Sequence, residues 1–120
     1  MKRGNPYEQG CPTRHILDRI GDKWTVLIVG ALGEESLRFS ELRRRIEGIS
    51  QKMLTQTLRA LERDGLVSRS VTDSVPPRVD YELTDIGRTL LAPIEALKAW
   101  AEENMGEVLA SREQYDQREG

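Results

Sequence analysis

Five residues near the middle of the chain carry side chains suited to nucleic-acid chemistry: Gln51, Lys52, Thr55, Gln56 and Arg59. Amide and hydroxyl groups hydrogen-bond base edges, and a cation reaches guanine or a phosphate. Between them Leu54, Leu58 and Leu61 recur at i, i+4 and i+7, so a helix from Gln51 to Arg63 gathers the leucines into one stripe and leaves the polar set on other faces. Ser50 is a suitable N-cap for this helix, and Ile49 is placed to staple against Leu54. A solvated helix surface shows the same pattern, so its neighbours in the chain must decide between the two readings.

The other chemically versatile residues are few. Cys11 is the single cysteine, which excludes an intramolecular disulfide but permits a reactive thiol or a bond between two chains. Pro12 suits the first helical position and places Cys11 at an N-cap, where free amides and the helix dipole favour a thiolate and Arg14 and His15 follow at i+3 and i+4. Cys11 is therefore a candidate redox sensor; the alternative is a small buried residue packed at a contact between chains. Cys11 and His15 make half of a metal site, with no second His or Cys to complete it, so neither a metal nor a cofactor is expected. A Ser-His-Asp arrangement would depend on the lone His15, and no glycine-rich phosphate loop is present, which leaves an enzyme as the weakest reading.

Charge sharpens the picture once it is taken locally. The 120 residues carry a net charge of −2, yet Arg38 to Arg78 holds nine basic and five acidic residues, so this stretch is +4 and the remainder −6. A phosphate-binding surface needs such a local excess. The longest apolar run, Trp24 to Leu32, is far short of the ~20 residues of a membrane helix, and residues 1–10 lack the apolar segment of a secretory signal. No membrane association is expected, and the chain reads as cytoplasmic.

The elements around the polar helix supply a scaffold. Residues 1–10 read as a flexible arm, a short helix begins at Pro12 and ends at Gly21, and Asp22 caps a second helix through Leu32 that is apolar on nearly every side and so belongs at the centre of the fold. Leu37 and Arg38 make at most a minimal strand. Ser40 then caps a helix with Glu41 in its first turn, and Gly48-Ile49-Ser50 turns the chain into the polar helix, which is a helix-turn-helix pattern. Past Gly65, LVSRSV and RVDYEL read as two strands joined by the proline-containing loop from Thr72 to Pro77, with Arg69 and Arg78 flanking it. A helix-turn-helix followed by a hairpin is a winged helix: mainly α, with a small β element. Thr84 caps a final helix, interrupted at Pro93, whose apolar positions include Ile86, Leu90, Leu91, Ile94, Leu97 and Trp100, more than one small core absorbs, which points to a homodimer. Residues 105–120 read as an acidic, disordered tail.

Taken together these segments resemble the HxlR-type winged-helix transcriptional regulators of bacteria, relatives of the MarR group. The resemblance rests on CP at 11–12, IGDKW at 20–24, RFSEL at 38–42, IEGIS at 46–50, LTQTLRALERDGLVSR at 54–69, VPPRVDYELT at 75–84 and Gly87, and it covers residues 11–104 as one domain. It implies a homodimer joined through the first and last helices that binds double-stranded DNA of near-palindromic sequence at promoters, and a cysteine at position 11 that responds to electrophiles or oxidants. It departs at Thr72, where family members often carry an aromatic residue, and the segment after 104 lies outside it. Base edges are assigned to Gln51, Lys52, Thr55 and Gln56 at the helix that Ser50 opens, phosphates to Arg44, Arg59 and Arg78, and backbone contact to Arg69. Arg43 and Arg45 read as solvated or paired with Glu47. The competing reading is a winged helix that binds a protein and no DNA, through its last helix and acidic tail.

Overall fold

The computed structural model describes residues 4–119. Residues 1–3 of the expected arm lie outside them, while residues 4–10 turn back so that Gly4 rests against the Cys11 sulfur. Helix α1 (Pro12–Ile20) follows, and it buries none of its residues. Two residues later Asp22 accepts the Trp24 N–H at 2.9 Å and starts α2 (Lys23–Leu32). Thr25, Ile28, Val29 and Leu32 are buried, as an apolar helix at the centre requires. Burial on all sides is not what the structure has: Leu27 is 47% exposed and Gly30 is open. Their face forms one wall of a groove of about 650 Å³ against the last helix, because that helix packs on α2 along one edge only.

Strand β1 (Leu37–Arg38) runs without a break into α3 (Phe39–Arg45). Its N-cap is therefore Arg38, two residues before the expected Ser40, and the Glu41 carboxylate accepts the Arg38 N–H at 3.0 Å. The strand sets that start, since Arg38 is held opposite Asp80 by sheet pairing. Gly48, at φ +89°, makes the turn into α4 (Gln51–Arg63), a backbone conformation that side chains disfavour. The hairpin strands are β2 (Val67–Thr72), one residue later at each end than the expected LVSRSV because Thr72 still pairs with Arg78, and β3 (Arg78–Leu83), with the expected bounds, in antiparallel register from Val67 opposite Leu83 to Thr72 opposite Arg78. With β1 paired to the outer side of β3, the sheet has three strands in the order β1-β3-β2. Alternation then directs Leu37, Val67 and Leu83 into a core shared with Ile28, Leu32, Leu42, Leu54, Leu58 and Leu61.

The final helix is split. Thr84 accepts the Gly87 N–H and opens a short α5 (Asp85–Arg88); the chain turns at Thr89 and Leu90, and α6 (Leu91–Glu119) follows. Pro93 falls in the first turn of α6, where its missing N–H would have had no helical partner. The disordered tail is corrected by this helix, which runs on through residues 105–119. The segment is polar but rich in Glu, Ala, Leu, Gln, Met and Arg, with no proline, and this helix propensity is what the charge-based reading missed. A helix of 29 residues is about 43 Å long, so α6 projects from the body and lengthens the molecule to 60 Å, with a radius of gyration of 17.6 Å where about 14 Å is usual for this size.

Gly87 is fixed by close approach: a Cβ there would collide with the Leu66 carbonyl at the corner between α4 and β2. Gly87→Ala should lower unfolding free energy by about 1–3 kcal/mol in chemical denaturation. Gly106→Ala, where a Cβ meets nothing within 4 Å in mid-helix, should instead raise it by about 0.5–1 kcal/mol.

Candidate nucleic-acid interface

Helix α4 presents its polar side chains because its apolar ones have a single place to go. Leu54, Leu58 and Leu61 are fully buried against α2 and the sheet, together with Thr57, whose hydroxyl donates to the Met53 carbonyl at 2.8 Å. Gln51, Lys52, Gln56 and Arg59 are left exposed, with Thr55 half-buried beside them. All five are thus brought to one accessible side of the helix. At its start the Ser50 hydroxyl accepts the Met53 N–H at 3.0 Å, so this residue is committed to the cap while remaining at the surface. Ile49 and Leu54 are both buried, in keeping with a staple at the entry.

The arginines divide into two groups. Arg45 pairs with Glu35 at 2.8 Å, not with Glu47, and the Glu35 hydrogen bond and charge raise its affinity for the proton further. Arg38 lies 3.8 Å from Glu41, Arg88 bonds to Asp85, Arg19 to Asp64 and Arg78 to Asp80 at 3.1 Å. Among the described residues, Arg43, Arg44, Lys52, Arg59, Arg63 and Arg69 are in no ion pair. These six lie on α3, α4 and the adjoining strand; Arg14, Lys23, Lys98, Arg112 and Arg118, on α1, α2 and α6, are likewise in no ion pair. Arg59 and Arg69 both line a small cleft between α4 and the sheet, together with Thr55, Glu62 and Tyr81.

Tyr81 escaped the sequence reading, which placed it in the second strand without a role; only the packing of the sheet beside α4 brings its ring to that cleft. Arg78 stands apart at the loop end of β3 and already has a carboxylate partner. Cys11 belongs to a different part of the molecule. It sits at the N-cap of α1, 7% exposed, with the backbone of Gly4 packed on its sulfur.

Residues 19–108 match the HxlR-like helix-turn-helix family. The chain belongs to that family. An HxlR-like relative in Escherichia coli (strain K12), the HTH-type transcriptional regulator YtfH, itself uncharacterized, is 46% identical over 114 residues, which span 95% of this chain and 90% of the relative. The structure of YtfH from Salmonella typhimurium superposes with a TM-score of 0.84 at 44% identity, covering 92% of this chain and 98% of that one. The redox regulator HypR in its reduced form superposes with a TM-score of 0.75 at 44% identity over 83% of this chain and 98% of HypR. The protein is thus a transcriptional regulator with a winged helix-turn-helix fold, and the HxlR-like family is one of regulators rather than enzymes. Among the described residues, no helix is long and apolar enough to cross a membrane.

The cap at Ser50 holds the end of α4 that carries Gln51 and Lys52. Ser50→Ala should lower stability by about 1 kcal/mol, read as a lower denaturant midpoint at unchanged slope.

Proposed function

We propose that this protein is a homodimeric, sequence-specific DNA-binding regulator that lays α4 in the major groove of a near-palindromic promoter site and responds to thiol chemistry at Cys11. The observation that carries the first part is the free cationic and amide-bearing face of α4, held outward by its buried leucines. Gln51, Lys52, Thr55 and Gln56 read base edges, next to the capped Ser50. Arg44, Arg59 and Arg69 neutralise phosphates, and Arg78 joins them by exchanging its exposed pairing with Asp80 for a phosphate oxygen.

The dimer rests on apolar surface that this chain leaves uncovered. Ile16 and Leu17 on α1 are about half exposed, Leu97 and Trp100 on α6 are 63% and 61% exposed, and Leu27 opens into the groove between α2 and α6. Two protomers joined through α1 and α6 bring two copies of α4 to successive major grooves, roughly 34 Å apart. The domain that does this spans residues 11–104, extended by the distal part of α6.

The redox reading draws on HypR, a redox regulator, and on Cys11 at a helix N-terminus. Segment 4–10 shields the sulfur, so an oxidant or electrophile reaches Cys11 when that segment lifts away, and the modified sulfur no longer fits under Gly4.

On the duplex upstream of its own gene, fluorescence anisotropy should show binding at least about 10³-fold tighter than to a scrambled duplex. Gln56→Ala should reduce that preference by about 1–3 kcal/mol, whereas Arg59→Ala should weaken both duplexes alike and flatten the dependence on salt. Equal affinity for the two duplexes, repeated in a wide duplex selection, would remove the DNA reading in favour of a protein partner. For Cys11, treatment with a thiol oxidant should change DNA binding by the wild type and leave Cys11→Ser unaffected; an equal response in both would exclude this residue as the sensor.

A further inference from the structure

Three elements meet at the C-terminal end of α4. Asp64 is the C-cap of the helix, with its N–H bonded to the Ala60 carbonyl at 3.0 Å, and its carboxylate lies where the helix dipole is negative. A carboxylate is unfavourable there unless a cation answers it. Arg19, 45 residues earlier in the last turn of α1, donates Nε–H to Asp64 Oδ2 at 2.9 Å, with the side chains 34% and 20% exposed. Among the described residues this is the one side-chain hydrogen bond that ties α1 to the rest of the fold, and α1 buries no residue of its own. On the other side of the same corner, Thr84 donates its hydroxyl to the Gly65 carbonyl at 2.6 Å and its N–H to the Leu66 carbonyl at 3.1 Å, while Gly87 packs on Leu66. After Thr89 and Leu90 the chain enters α6.

Of the helices with uncovered apolar faces, α1 meets this corner directly through Arg19, and α6 follows from it through Thr84 and α5. The opposite end of α4 is held by its own Ser50 cap and by the buried staple. A helix of 13 residues is about 20 Å long, so a tilt of about 3° applied at one end moves the other by about 1 Å. That displacement takes a hydrogen bond to a base edge outside its range of 2.7–3.2 Å.

We propose that Arg19 is a positioning residue for DNA recognition: by holding Asp64 it sets the attitude of α4 against α1, and so couples the packing of α1 on a partner protomer to base selectivity. This rests on the DNA-binding reading above. The residue touches no DNA; it acts through Asp64. Its removal leaves the phosphate-binding cations in place, so affinity for arbitrary duplex is retained and discrimination between duplexes is lost.

The test measures the ratio of affinities for the upstream duplex and a scrambled duplex in the wild type, Arg19→Gln, Asp64→Asn and the charge swap Arg19→Asp with Asp64→Arg, alongside the thermal midpoint of each. The expected result is a fall in the ratio on the order of fivefold or more in each single variant, with scrambled-duplex affinity unchanged, and recovery in the swap. A brace with a merely structural role would lower the midpoint and leave the ratio of the folded protein intact. An unchanged ratio in Arg19→Gln, or a ratio that falls in the singles and stays low in a folded swap, overturns the proposal. Should a single variant fail to fold, Arg19→Lys keeps the charge without the Nε donor, and an unchanged ratio there and in Asp64→Asn overturns it equally. A wild type that does not discriminate between the duplexes would remove the DNA-binding reading itself, which distinguishes the two failures.

Discussion

The structure depends on the burial of one side of α4. Leu54, Leu58 and Leu61 each exclude water almost completely, and burying a leucine contributes about 1.5–3 kcal/mol. Three of them amount to a large part of the 5–15 kcal/mol by which a small domain is stable. Rotating α4 about its axis to bring another side inward would expose these leucines and bury Gln56 or Arg59 without partners, which is far more costly than any contact the helix makes with solvent. The direction in which the polar side chains point therefore follows from core packing. Helix α2 and the sheet serve α4 in this sense: Ile28, Leu32, Val67 and Leu83 are the surfaces on which its leucines rest.

Electrostatics adds selectivity to this geometry without adding much stability. Exposed pairs such as Arg45 with Glu35 or Arg88 with Asp85 add little to stability, and salt weakens them. Their more important effect is to remove particular arginines from the pool of free cations. On the helix-turn-helix and the strand next to it Arg43, Arg44, Lys52, Arg59, Arg63 and Arg69 stay unpaired; the other unpaired cations among the described residues, Arg14, Lys23, Lys98, Arg112 and Arg118, are spread over α1, α2 and α6, where the acidic residues in excess keep the net charge at −2. A chain with no overall positive charge can in this way present a positive surface at one place. Arg78 is the intermediate case: its side chain is half exposed at the loop end of β3, yet it is already paired with Asp80.

Features governed by local rules were legible in the sequence. Asp22, Ser50 and Thr84 all accept backbone N–H groups as caps should, and the six residues of β3 have the bounds their alternation indicates. The polar set on α4 was legible for the same reason, because helical periodicity alone separates it from the leucines. Features governed by distant neighbours were not. The start of α3 moved from Ser40 to Arg38 because β1 pairs with β3, a contact across more than 40 residues. Arg45 found Glu35 instead of Glu47, Tyr81 came to the cleft beside α4, and the open face of α2 became apparent only once α6 was seen to pack along one edge. The continuation of α6 differs in kind: helix propensity prevails over polarity in a stretch where the two disagree.

Where the core stops explains why the surface helices need something beyond this chain. The buried cluster runs from Ile28 to Ile94, so α1 contributes nothing to it and α6 only Ile94 from its first turn. A nine-residue helix is marginal by itself in water, and α1 is held by its link to α2, a few side-chain contacts and the Arg19 bond to Asp64. The outer part of α6 is in a similar position, with Trp100, Met105 and Leu109 open to solvent along its length. In the proposed homodimer a second protomer would cover these faces and stabilise both helices where the first protomer does not, which would make their packing more sensitive to assembly than anything in the core. Since α1 reaches the corner of α4 through Arg19 and α6 follows from it through Thr84 and α5, the proposed coupling would carry a change in their packing to the helix whose side chains point outward, while the leucines that anchor it remain in place.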